Sequence, residues 1–188
     1  GVLPILGEKA TKLQDYLLEA PKVYECHVQL GYATDTLDKE GKVCEHKPFD
    51  HVNIAMVKKE CESLQGVQEQ VPPVYSAVKF QGKPLYDYAR QGKAHQIAKD
   101  TGKKTIHVYR TKLISFCNGM IHFTVQTSKG AYVRSLAELL CHRLGTVGTL
   151  VYLKRSHSSG VQEEQCLSVK ELEALGGDTG LLKERLIS

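Results

Sequence analysis

Two runs of strand character meet at Asn118–Gly119, and that junction constrains the fold more than any other stretch of the chain. Residues 105–116 and 120–127 are strand-length and rich in β-branched and aromatic side chains. An Asn-Gly pair tolerates the positive φ angles that a tight hairpin turn requires. The junction therefore predicts an antiparallel hairpin. Ser128-Lys129-Gly130 then reads as a turn. Residues 131–144 have helical spacing through Leu136, Leu139, Leu140 and Leu144, and Gly145 stops the helix. Residues 23–30 alternate, with Tyr24, Cys26, Val28 and Leu30 on the more apolar side, which predicts another strand. Residues 149–154 form a further strand or short helix. Strands in blocks and helices in blocks predict an α+β class, with a central mixed, mainly antiparallel sheet flanked by helices.

The remaining segments complete this outline. Residues 9–20 read as an amphipathic helix with Leu13, Tyr16, Leu17 and Ala20 on one side, ended by Pro21. The stretch 31–41 is a polar loop in which Asp35 and Asp38 accept backbone hydrogen bonds. Asp50 is placed to cap a helix over 51–64, and Ser168 one over 169–175. A chain of 188 residues with 41% hydrophobic and 24% charged residues suits one well-buried domain. No apolar run is long enough to span a membrane, and the apolar opening 1–7 lacks a basic leader. Six cysteines (Cys26, Cys44, Cys61, Cys117, Cys141 and Cys166) lack C-x-x-C spacing. They are expected as free thiols in a cytoplasmic protein, with no metal; Cys44 with His46 and Cys141 with His142 are the alternative ligand pairs. A net charge of +4 permits nucleic-acid binding without demanding it.

The stretch 71–92, V-P-P-V-Y-S-A-V-K-F-Q-G-K-P-L-Y-D-Y-A-R-Q-G, carries the chemistry. Pro72 and Pro73 bar a helix interior and favour an extended entry. Tyr75, Tyr86 and Tyr88 offer flat faces; Lys79, Lys83 and Arg90 offer charge. Aromatic faces between cations suit the bases and phosphates of an irregular RNA. The plainer reading is a hairpin leading into an amphipathic helix, its tyrosines packed on a core.

This stretch resembles a motif of the TruB family of tRNA pseudouridine synthases, V-P-P-x-Y-S-A-x-K-x-x-G-x-x-L-Y-x-x-A-R-x-G, at every fixed position. Other segments are similar to the same family in the same order: the opening G-V-L-P, Lys22-Val23-Tyr24 to its K-x-Y, and 31–41 to its L-G-x-x-T-D-T-x-D-x-x-G. S-K-G-A-Y-V-R-S-L (128–136) resembles S-K-G-T-Y-I-R-x-L, and Leu153-Lys154-Arg155 resembles L-R-R. The resemblance covers about 1–175. It implies a pseudouridine synthase catalytic domain with an RNA-binding insertion at about 71–104, followed by a tail at 176–188.

The resemblance also implies roles. The reaction detaches a uracil, rotates it and rejoins it through carbon, without a cofactor. Tyr24 would stack on a base flipped out of its helix; its alternative is a core tyrosine. Arg134 would hold the carboxylate nucleophile through its planar fork; its alternative is a surface arginine at a helix start. Lys12 and Leu153 match pocket-lining positions, and Tyr75, Lys79, Lys83 and Arg90 would bind substrate. The family's aspartate lies in L-D-P-x-A, before the position of Gly1. The chain is therefore expected to begin inside a longer product and to be inactive alone. The expected substrate is uridine 55 in the T-stem and loop of tRNA, with no obligatory protein partner. Two rivals are a non-catalytic RNA-binding or RNA-folding module and a dyskerin-type synthase guided by small RNAs. Tyr75-Ser76 after the prolines speaks against the dyskerin type.

Overall fold

The computed structural model describes residues 1–73, 79–80, 82–84, 102–174 and 176. Its centre is a six-stranded sheet built from β1 (Lys22–Leu30), β4 (Gly66–Gln70), β7 (Lys104–Cys117), β8 (Met120–Thr127), β9 (Gly148–Ser158) and β10 (Val161–Gln162). Their order is β10-β9-β1-β8-β7-β4. Among the described residues every ladder is antiparallel, and the single parallel contact is an isolated bridge between Asp38 and Leu150. Two short hairpins stand apart, β2 (Tyr32–Thr34) with β3 (Val43–His46), and β5 (Lys79–Phe80) with β6 (Lys83–Pro84).

The β7–β8 hairpin forms where the Asn-Gly signal places it. Asn118 (φ 50) and Gly119 (φ 74) both adopt positive φ, the backbone of a two-residue primed turn. A side chain at Gly119 would also meet the Phe49 ring at 2.6 Å. The hairpin's partner β1 alternates as the sequence predicts. Cys26, Val28 and Leu30 are buried on one face, while Glu25, His27 and Gln29 point to the other.

Two helices cover the buried face: α2 (Ile54–Ser63) against β7, and α3 (Val133–Arg143) against β9 and β1. Helix α3 has no side-chain cap at Tyr132, an omission that costs about 1 kcal/mol. It buries Val133, Leu136, Ala137, Leu140 and Cys141, and each large apolar side chain so buried contributes about 1.5–3 kcal/mol. Docking therefore outweighs the missing cap and makes α3 a firm mount for Arg134 in its first turn.

Several sequence expectations move. The helix predicted over 51–64 starts at Ile54, and its cap is Asn53 rather than Asp50: Asn53 Oδ1 accepts from Met56 N at 3.0 Å. The helix predicted over 9–20 is two short pieces, a 3-10 turn (Glu8–Leu13) and α1 (Gln14–Glu19), and its apolar side is not docked on the core. Leu13 and Tyr16 are exposed, while Leu17 and Ala20 are half-buried. Polar bonds hold this segment instead, from Lys22 Nζ to the Leu18 and Ala20 carbonyls and from Ser159 Oγ to the Leu17 carbonyl. The loop over 31–41 runs into the β2–β3 hairpin. The last helix among the described residues, α4 (Val169–Ala174), is capped by Ser168 as expected, with Ser168 Oγ accepting from Glu171 N at 3.2 Å. Tyr75, Tyr86, Tyr88, Arg90, the side chains of Lys79 and Lys83, and residues 177–188 of the expected tail lie outside the described residues, as do residues 91–101 of a polar, basic linker expected over 91–104. Among the described residues no helix is long and apolar enough to cross a membrane.

Candidate functional site

Tyr24 lies half-buried on the helix-covered face of β1. Its ring touches the core and also lines an open cleft of about 790 Å³. The core reading and the functional reading of this tyrosine thus meet in one side chain. The cleft wall is rich in cations: Lys22, Lys104, Lys129 and Arg155, with Asp15 and Glu19 opposite. Crowding has an electrostatic consequence. Burial first, and then the charges of Arg155 and Lys129, push Lys22 below the usual lysine range, against the pull of Glu19. Lys129 pairs with Glu19. Lys104 crosses directly over Gly130, where an added Cβ would sit 2.1 Å from Lys104 Nζ. Gly130 adopts φ 71, the left-handed backbone that favours glycine in the Ser128-Lys129-Gly130 turn. The turn is held to β7 by Ser128 N donating to the His107 carbonyl and Ser128 Oγ accepting from His107 N.

Register places two β9 side chains on the same face as Tyr24. Tyr24 stands opposite Arg155 and Cys26 opposite Leu153, so Leu153 and Arg155 share the face of Tyr24. Leu153 is 45% exposed on this face and, unlike Arg155, is not among the residues lining the cleft. The chain's opening residues meet the same point. Val2 N donates to the Arg155 carbonyl at 2.7 Å, and Arg155 Nε donates to the Val2 carbonyl at 2.7 Å. Gly1 is so close that an added Cβ would lie 2.6 Å from the Arg155 oxygen. Lys12 is exposed on the 3-10 turn and is not among the residues lining the cleft.

Arg134 is not a loose surface arginine. Its Nη1 donates to Asp38 Oδ2 at 3.0 Å and to the Thr36 carbonyl at 3.2 Å. Both charged side chains are about three-quarters buried, at 24% and 27% exposure. Asp38 is itself fixed: its Oδ1 accepts from Thr36 Oγ1 at 2.7 Å and from Glu40 N at 3.2 Å. Asp35 Oδ1 accepts from Lys42 N at 2.9 Å, as expected of a turn aspartate. The loop is anchored to β9 through Lys39 N to the Leu150 carbonyl and Leu150 N to the Leu37 carbonyl. Asp38 therefore does more than shape a turn; it orients a guanidinium 96 residues away.

A second restraint on Arg134 comes from Gln70, which is 5% exposed. Its Nε2 donates to the Tyr132 carbonyl at 3.1 Å, and its Oε1 accepts from Tyr132 N at 2.9 Å. This two-point clamp ties the residue before Val71-Pro72-Pro73 to the start of α3. Neither Gln70 nor the Asp38–Arg134 pair was identified from the sequence. The cysteines supply no chemistry to the cleft: burial pushes the Cys61 and Cys141 thiols up to about 12 and Cys26 further, so these three stay protonated.

Known proteins resemble this chain over most of its length. Residues 1–133 match the model of the TruB family pseudouridylate synthase (N terminal domain). A tRNA pseudouridine synthase B from Hydrogenovibrio crunogenus is 40% identical over 92% of this chain, and one from Bacillus subtilis is 39% identical over 100% of this chain. The chain spans 56% and 61% of those two proteins. Among solved structures, a Cbf5-Nop10-Gar1 complex aligns over 92% of this chain and 42% of its own, with a TM-score of 0.63 and 22% identity, a likeness of fold.

Proposed function

The chain belongs to the TruB family of pseudouridylate synthases, and on that premise we propose that it forms most of the uridine-isomerising site of a tRNA pseudouridine synthase acting at position 55 of the T-loop. The observation that carries this reading is the meeting of Gly1–Val2 with Arg155 directly across from Tyr24. The family motif L-D-P-x-A-x-G-V-L-P puts its aspartate five residues before the glycine that Gly1 matches. Five residues reach at most about 17 Å, so a carboxylate carried there in a longer product enters within reach of the cleft. No residue of this chain matches that aspartate, and Asp35 and Asp38 are engaged in the loop.

Each group then has a physical task. The target uridine must leave its stack, and the exposed ring face of Tyr24 receives it, with Leu153 beside it. Arg134, aimed by Asp38 and the Thr36 carbonyl, presents a permanently charged planar fork to the nucleophile and keeps it ionised. Lys104, Lys129 and Arg155 give the cleft the positive potential that phosphates require. The insertion that begins after Gln70 would grip the T-stem and loop through Tyr75, Lys79, Lys83 and Arg90. The 39–40% identity to bacterial tRNA pseudouridine synthases favours this reading over a guided, dyskerin-type enzyme. Six free cysteines suit a reducing, cytoplasmic compartment.

The test is pseudouridine mapping in a T-stem-loop RNA. A longer product carrying L-D-P before Gly1 should convert uridine 55, and the 188-residue chain alone should bind without converting. Absence of conversion by the longer product, or robust turnover by the short chain free of full-length enzyme, overturns the proposal.

A further inference from the structure

On the sheet face opposite the cleft, three side chains from two neighbouring strands converge. Glu25 and His27 project from β1, and His122, directly opposite His27 in the β1–β8 register, projects from β8. One donor atom from each lies within 4.8 Å of those from the other two. His122 Nε2 is 3.1 Å from Glu25 Oε1, and His27 Nε2 is 3.7 Å from the same oxygen. The imidazole rings sit 4.3 Å apart, and the Tyr152 ring lies 4.7 Å from that of His27, tilted by 37°.

One donor in this group has no hydrogen-bond partner. His27 Nε2 is buried and makes no hydrogen bond, one of two such side-chain atoms among the described residues. A buried ring nitrogen left unpaired is costly. Lys154, which faces Glu25 across β1 and β9, does not claim the carboxylate, because its ammonium is 2.6 Å from Glu163 Oε2. Two imidazoles and one carboxylate thus hold their donor atoms close together, while the neighbouring Lys154 ammonium, which feels the charge of Glu25, bonds to Glu163.

We propose that Glu25, His27 and His122 form a binding site for one first-row divalent cation of the zinc class. A zinc ion takes imidazole and carboxylate donors at about 2.0–2.2 Å. In a tetrahedron, ligand atoms at that radius stand about 3.3–3.5 Å apart, and the distances of 3.1 and 3.7 Å bracket that spacing. Imidazole with carboxylate and no thiolate selects zinc, cobalt or nickel over magnesium or calcium. The ligand side chains remain 25–33% exposed, so an ion can enter and keep water in its fourth position. Bound there, the ion cross-links β1 to β8 behind Tyr24, on the strand that carries the cleft's aromatic face. The site is structural and takes no part in the isomerisation.

The test uses the full 188-residue chain with its three exposed cysteines replaced (Cys44→Ser, Cys117→Ser, Cys166→Ser), so that surface thiols cannot hold metal. Cobalt(II) alone is titrated and followed by its visible absorption, then displaced with zinc(II). The expected result is one cobalt per chain with an imidazole-carboxylate spectrum lacking thiolate bands. Saturating zinc should raise Tm by about 5–10 °C. Loss of even an outer-shell partner weakens metal sites about 10–100-fold, so His27→Gln and His122→Gln should weaken cobalt binding by at least that much. Both variants are compared with the parent in chelator to confirm folding. Glu25→Gln, which keeps side-chain shape and an acceptor for His122, supplies the same comparison should a histidine variant fail to fold. Absence of stoichiometric binding, or binding unchanged in the ligand variants, overturns the proposal.

Discussion

Replacing Gln70 with leucine probes the link between the start of the insertion and the arginine of the site. The amide of Gln70 makes two hydrogen bonds to the backbone of Tyr132, at 2.9 and 3.1 Å, and it is 5% exposed. Leucine fills similar space but offers neither donor nor acceptor. The Tyr132 carbonyl keeps a partner, because it also accepts from Leu136 N at 3.2 Å. Its N–H loses the Gln70 oxygen, and a buried polar group stranded in this way costs about 1–3 kcal/mol. For a domain of this size, 2 kcal/mol corresponds to a fall in Tm of about 4–8 °C. Calorimetry on the chain reads that number. The functional readout is separate. Arg134 sits two residues beyond Tyr132, so single-turnover pseudouridine formation by the longer product should slow while T-stem-loop affinity changes little. Glutamate at position 70 should do worse than leucine, because its carboxylate would face the Tyr132 carbonyl. A Tm within 1 °C of the parent, or an unchanged single-turnover rate, would refute the clamp.

Other outcomes follow from the same contacts. Asp38→Asn keeps an acceptor for the turn but loses the charge facing Arg134; it should cost about 1.5–3 kcal/mol of stability, measured in urea, and slow turnover. Arg134→Lys should cut single-turnover rate strongly with RNA affinity nearly intact, because lysine keeps charge and loses the fork; a near-normal rate would place Arg134 outside the site. Replacing Lys79, Lys83 and Arg90 together with alanine should flatten the salt dependence of RNA binding by up to about three phosphate contacts, each worth about 0.7–0.9 in the log–log slope. The buried thiols predict a sign for alkaline stability. Cys61 and Cys141 titrate near 12 when folded, against an ordinary 9.0. Between those values the unfolded chain has lost protons that the folded chain keeps. The stabilisation is therefore complete below pH 9 and declines as pH rises toward 12. Urea midpoints that rise across that interval would contradict the assignment.

What the sequence disclosed was local, and what it hid was long-range. The Asn118–Gly119 turn, the alternation of β1 and the leucine spacing of α3 are written in neighbouring residues, and each element formed close to its predicted bounds. Strand β4 went unread because Gly66–Gln70 offers a single large apolar residue, Val67, and that residue faces outward on an edge strand. The 9–20 helix misled because helical spacing of apolar residues does not say whether a partner surface exists. Tyr24 and Arg134 were singled out by motif, yet the reason Arg134 points where it does lies in Asp38, far off in sequence. Gln70 to Tyr132 spans 62 residues and His27 to His122 spans 95. Spacing rules reach one helix turn or one strand pair, so no pattern within the chain could have joined them.

Photo-crosslinking of a T-stem-loop RNA carrying 4-thiouridine at position 55 tests the account most directly. The base contact can be located by mass spectrometry whether or not turnover occurs. Crosslinks should fall on Tyr24 or Leu153, on the helix-covered face of the sheet, and should be lost with excess unmodified stem-loop. Crosslinks on His27, His122 or Tyr152, on the opposite face, would show that the uridine is not received in the Tyr24 cleft.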